Sequence, residues 1–278
     1  MKKWLSFVAA SRQSAPDCDS GWRLRRSHET PLQGHRAKLA ILAATFLLLL
    51  VALEAAPPPS AEQPKSHTTN GESSETLTIE GWTIHVSERL RLDQKEATAA
   101  ALKILQAHLK EIVRVIPAKA VTFLRTVPLW MSPEYPGIQP RAEYHPNINW
   151  LREHGRNPTM AKGIEFTNIR IFAQENQRMP VFVLHELAHA YHDQVLGFDH
   201  PAIKAAYKRA VESKSYDAVK NHQGRVMRAY AMNDEKEYFA EETEAFFGRN
   251  DFYPFTREEL KQHDPVMFDL LSKLWNRE

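Results

Sequence analysis

His185, Glu186 and His189 lie in VFVLHELAHAYHD (181–193), an apolar run broken by three histidines and two acids. The three residues form the pattern H-E-x-x-H. On an α-helix, residues four apart sit about 40° apart around the axis, so the two imidazoles converge on one point. That point suits a tetrahedral zinc ion, Zn2+, with Zn–N distances of about 2.0–2.1 Å. Glu186 is offset by one position. It cannot share the two-histidine point, but it can reach a water there. The spacing therefore supplies two ligands and one general base. The uncharged flank at 181–184, Leu187 and Ala188 would bury the helix, and buried imidazoles need partners.

A third ligand is required. The single cysteine, Cys18, lies in the N-terminal arm, so a metal site in the body must draw on His, Asp or Glu. His192 follows His189 by three positions. Three ligands on one straight helix rarely converge, so His192 is expected to pack or hydrogen-bond. Val195 stands where a metzincin would carry its third histidine. Glu237 and Glu241 are four apart in EYFAE, among Tyr238, Phe239, Phe246 and Phe247. Acids in so aromatic a helix need partners. One of the two could bind the ion. The other could accept a hydrogen bond from a ligand histidine's outer N–H and fix its tautomer.

Several elements must position these groups. LTIEGWTIHV (77–86) alternates around a Gly-containing turn and predicts a hairpin. Apolar residues at helical spacing predict a helix over 93–114, capped by Asp93. A short helix is expected from Pro117 to about Arg125. VPLWMS (127–132) and GIEFTN (163–168) read as strands, and the proline-rich PEYPGIQPRAEYHP (133–146) between them as a loop. Helices are expected over 180–196, with Pro180 in the first turn and Gly197 past the end, and over 200–219. Another is expected over 233–248, from Asn233 or Asp234 as cap to Gly248 as stop. Two final helices begin near Thr256 and Pro265. Strands early and helices late give an α+β class, with a small sheet packed on the active-site helix and a mostly helical C-terminal half.

H-E-x-x-H followed by E-x-x-x-D/E on a downstream helix resembles the gluzincin metallopeptidases. AYAMNDEKEYFAE is most similar to the catalytic domain of the anthrax lethal-factor-like group, in which a tyrosine precedes the ligand glutamate by seven residues, as Tyr230 precedes Glu237 here. The resemblance covers about residues 180–247. It implies a zincin-like domain over 76–278, zinc held by His185, His189 and Glu237, Glu186 as catalytic base, and Tyr230 as transition-state stabiliser. It also implies Glu241 as the carboxylate behind a ligand histidine. The expected function is zinc-dependent hydrolysis of peptide bonds, with a peptide or protein as substrate. GIEFTN is the expected sheet edge on which an extended peptide would pair. A non-catalytic zincin-fold binding or scaffolding protein of the cell envelope is the alternative, and intact Glu186 argues against it. A third reading makes the His-rich helix incidental to a solute-binding or structural protein.

Composition bounds the rest. Apolar residues make up 43% of 278, enough for a full core, and the net charge is +2. The basic surplus is confined to the first 56 residues. The near-neutral body lacks the footprint a nucleic-acid binder needs. A basic arm (1–38) precedes the apolar run 39–56, LAILAATFLLLLVALEAA, which reads as a signal peptide or a membrane anchor. Residues 57–75, rich in Pro, Ser and polar side chains, read as a disordered linker. The body is thus expected outside the cytoplasm, secreted or tethered to the membrane.

Overall fold

Glu80 and Gly81 close the first hairpin of the computed structural model, which describes residues 73–276. Both have positive φ, 51° and 90°, as a two-residue turn matching strand twist requires. The turn joins β1 (Ser74–Ile79) to β2 (Trp82–Ser87) in antiparallel register. Ser74 and Glu75, assigned by composition to the linker, are therefore the first residues of the sheet. The arm and apolar run, and the linker up to residue 72, lie outside the described residues. Among the described residues, no helix is long and apolar enough to cross a membrane.

Three helices follow: α1 (Glu88–Asp93), α2 (Lys95–Val115) and α3 (Ala118–Leu124). Asp93 ends α1 instead of capping α2; Gln94, at φ −136° and ψ 36°, separates the two helices. β3 (Leu129–Met131), β4 (Ala142–Tyr144), α4 (Ile148–Glu153) and β5 (Ile164–Phe166) come next. The sheet order is β1-β2-β3-β5-β4. The pairs β2/β3 and β3/β5 are parallel, whereas the outer pairs β1/β2 and β4/β5 are antiparallel.

This order corrects the expected peptide-pairing edge. GIEFTN is not an edge, because β5 lies between β3 and β4. The edge on that side is β4, inside the proline-rich segment read as a loop. The strand forms there because Tyr144 pairs with Ile164 and Ala142 with Phe166, contacts remote in sequence.

The remainder is mainly helical: α5 (Phe172–Arg178), α6 (Phe182–Tyr191), α7 (Pro201–Ser213), α8 (Glu235–Phe247), α9 (Arg257–His263) and α10 (Pro265–Trp275). A π-helical turn, His192–Leu196, prolongs α6 to Gly197, whose φ of 81° ends it. The helix expected over 200–219 stops at Ser213, because Lys214 turns left-handed at φ 58°. Beyond it, β6 (Val219–Lys220) and β7 (Val226–Met227) form a small second hairpin. The whole is mixed α and β with a small mixed sheet, compatible with α+β.

Alternation sorts the sheet residues. Ile84, Val86, Leu129, Met131, Ile164 and Phe166 are buried in one hydrophobic core with α2 and α6, through Leu105, Leu109, Val183 and Leu187. In register on the opposite face stand His85, Trp130, Glu165 and Glu143. Glu165 is fully buried there. It accepts hydrogen bonds from Arg156 Nη1 at 2.6 Å and Tyr135 Oη at 2.8 Å, and contacts His145 Nε2 at 3.0 Å. A buried carboxylate is tolerated only when paired and hydrogen-bonded, and these partners order the segment that carries β4.

Candidate metal centre and active site

α6 and α8 supply the site. The apolar run of α6 buries nine of its residues, His185 and His189 among them. α8 begins at Asp234, whose carboxylate accepts from the backbone N–H groups of Lys236 at 2.8 Å and Glu237 at 2.9 Å. This cap satisfies two of the open donors of the first turn and fixes where Glu237 emerges. The helices run antiparallel: His189 meets Glu237 near the start of α8, and Val181 meets Gly248 just past its end. A Cβ on Gly248 would lie 2.6 Å from Val181 Cγ1, so glycine permits the close approach.

Three donor atoms converge between the helices. His185 Nε2 lies 3.1 Å from Glu237 Oε2 and 3.1 Å from His189 Nε2, and His189 Nε2 lies 3.4 Å from Glu237 Oε2. Ligands about 2.0–2.1 Å from a tetrahedral ion stand about 3.3–3.4 Å apart, so the triangle has the size of one face of such a site. Two Nε2 atoms facing each other at 3.1 Å can share only one proton, whereas a cation satisfies both lone pairs and the carboxylate together. These residues fit a divalent metal.

Charge points the same way. Burial raises the Glu237 carboxyl, but the imidazoles of His189 and His185 more than reverse this and hold it well below the usual carboxylate range. Burial lowers His185, yet hydrogen bonds to Glu237 and Glu244 carry it well above its ordinary value. The potential at His185 thus favours positive charge, which a cation supplies as a proton does.

Two other ligand groupings occur among the described residues, and neither has the same fit. His185 Nδ1 lies 2.7 Å from Glu244 Oε1 and 3.8 Å from Glu241 Oε1. The shorter distance is that of a charge-assisted N–H···O bond and too short for two ligands of one tetrahedral ion, so a proton sits there. This corrects the expectation for Glu241: the hydrogen bond behind His185 goes to Glu244. In the grouping of Glu143, His145 and Glu165, the Arg156 guanidinium already provides the positive charge.

Glu186 is half-buried and points elsewhere on α6. Its Oε2 accepts the backbone N–H of Tyr144 at 2.8 Å, joining the helix to the sheet edge. Burial raises its carboxyl above the usual range against the opposing pull of His185 and His189. Tyr230 opens a short 3-10 turn, Tyr230–Met232, ahead of α8. Burial raises its hydroxyl, and the charges of Glu237, Glu241 and Glu186 raise it further, so it keeps its proton. His192 is fully buried between Phe198 and Phe239, with ring centroids 5.1 and 4.9 Å away. Neither of its ring nitrogens meets a hydrogen-bond partner among the described residues, and it belongs to none of the ligand groupings.

Two contributors escaped the sequence reading. Glu244 follows Glu237 by two helical turns, a spacing that could have drawn attention to it. Tyr144 left no local signal, since its backbone meets Glu186 from 42 positions away. Comparisons with family models, curated proteins and solved structures find no match to the chain.

Proposed function

We propose that the chain is a zinc-dependent metallopeptidase with a zincin-like catalytic domain, hydrolysing peptide bonds with His185, His189 and Glu237 as ligands. The observation that carries this reading is the triangle of three donor atoms with edges of 3.1, 3.1 and 3.4 Å, with a half-buried carboxylate on the next residue of the same helix. Zinc, when bound, would supply a Lewis acid that polarises a carbonyl and acidifies a water.

The chain's own groups do the rest. Glu186, whose carboxyl burial raises towards the working range of a general base, takes the proton of the attacking water and delivers it to the leaving amine. Tyr144 N–H holds one oxygen of that carboxylate and leaves the other for the proton. Tyr230, protonated throughout, donates a hydrogen bond to the oxygen on which charge develops. An extended substrate would pair with the outward backbone groups of β4 at Ala142 and at the carbonyl of Tyr144, because alternation in an antiparallel ladder turns the groups of Glu143 inward to β5.

The test is cleavage of a mixed peptide library by the purified chain, with its zinc content measured alongside. The expected result is chelator-sensitive cleavage, with Glu186→Gln retaining zinc and losing about 10²–10⁴-fold in rate. Zinc without cleavage would sink the peptidase reading and favour a non-catalytic zincin-fold binding or scaffolding protein. A chain that takes up no zinc would sink both.

A further inference from the structure

We infer that Glu244 is the positioning residue for the metal centre: its carboxylate orients His185 by accepting Nδ1–H, and Glu241 does not. The inference rests on the zinc reading above and concerns which of several buried acids on α8 serves it.

The helix pairing dictates the choice. Val181 abuts Gly248, and a step of four residues along each antiparallel helix brings His185 opposite Glu244. Around α8, Glu244 is seven positions from Glu237, about 20° off its direction, whereas Glu241 at four positions is about 40° off. The His185 ring then spans two turns of α8, with Nε2 towards Glu237 at 3.1 Å and Nδ1 towards Glu244 at 2.7 Å. The second bond places the ring proton on Nδ1 and leaves the Nε2 lone pair facing the donor triangle, which is the tautomer a metal needs. Glu241 is 1% exposed, yet its nearer oxygen stays 3.8 Å from Nδ1 and its Oε2 has no hydrogen-bond partner among the described residues. Glu242, also buried, is directed to the far side of α8, towards Tyr216.

Zinc affinity measured by competition with a chromophoric chelator tests this without any substrate, and the visible absorption of the cobalt-substituted protein reports ligand geometry. Glu244→Ala is expected to weaken zinc binding about 10–100-fold and to change the cobalt spectrum. Glu244→Gln, which keeps an oxygen acceptor, should recover most of that loss. Glu241→Ala should cost no more than about threefold. Thermal unfolding of each metal-free variant separates loss of fold from loss of orientation. Unchanged affinity in a folded Glu244→Ala protein, no recovery in Glu244→Gln, or an equal loss in Glu241→Ala would each overturn the assignment while leaving the zinc reading intact. An unsubstituted chain that binds no zinc would overturn both.

Discussion

The backbone N–H of Tyr144 donates to Glu186 across 2.8 Å, so the edge strand of the sheet and the proposed catalytic base are held to one another. The side chain of Tyr144 reinforces the link. Its hydroxyl donates to Asp193 Oδ2 at 2.7 Å on the π-helical turn, where Lys162 Nζ also binds at 2.6 Å. Tyr144→Phe removes the hydroxyl and keeps the ring. A hydrogen bond to a charged, largely buried group contributes about 1.5–3 kcal/mol, so the variant should lose up to that much stability. It should also lose roughly tenfold in kcat, about 1.4 kcal/mol of barrier, while keeping its zinc. Urea unfolding and steady-state kinetics check it. An unaffected kcat would mean that β4 does not steer the base.

Tyr230→Phe tests the proposed oxyanion donor. The hydroxyl is protonated at every working pH, so only a hydrogen bond is removed. The expected loss is about 10²–10³-fold in kcat with zinc affinity unchanged. Loss of zinc in this variant would point to a structural role for Tyr230 instead.

Gly248→Ala probes the α6–α8 contact. The new methyl would stand 2.6 Å from Val181 Cγ1, and a β-branched side chain has little freedom to move aside. Overpacking of this kind costs about 1–3 kcal/mol. Because the same contact sets the register of the proposed ligands, zinc affinity should fall together with the denaturation midpoint. Val181→Ala in the Gly248→Ala background should restore both. A double variant no better than the single one would show that the contact does not set the spacing.

His192 predicts a pH dependence. Burial pushes its imidazole down to about 3, with the charges of His189, His200 and Lys236 adding to the shift. The unfolded chain protonates it near the ordinary 6.5, whereas the folded chain does not until about 3. Below pH 6.5 the unfolded state therefore binds more protons, and stability falls as pH drops through that window. His192→Leu keeps an apolar side chain between Phe198 and Phe239 and removes the titration. Between pH 7 and pH 5 the unsubstituted protein should lose roughly 2 kcal/mol more than the variant. Parallel urea midpoints across those pH values would refute the neutral-imidazole assignment.

What the sequence determined alone is what rests on short-range geometry. Two imidazoles four residues apart converge on any α-helix, and Glu186 follows from its place beside the first. The helix limits at Asp234 and Gly248 were legible because caps and stops are local chemistry. So was the hairpin about Glu80 and Gly81. The residues of EYFAE left Glu237 and Glu241 open as partner of the two histidines, and only the family resemblance chose Glu237. The break at Gln94 and the early end of α7 at Lys214 escaped because amphipathic spacing runs on past both points.

Tertiary structure decided which remote partner each of these groups meets. Glu241 and Glu244 are alike in sequence, both buried acids on α8, and the antiparallel setting of that helix against α6 gives the His185 bond to the second, across 59 positions. The proline-rich segment becomes the sheet edge because β5 offers it a pairing surface and Glu165 a buried anchor. Such choices depend on how close whole elements approach one another, and side chains far apart along the chain fix that distance jointly.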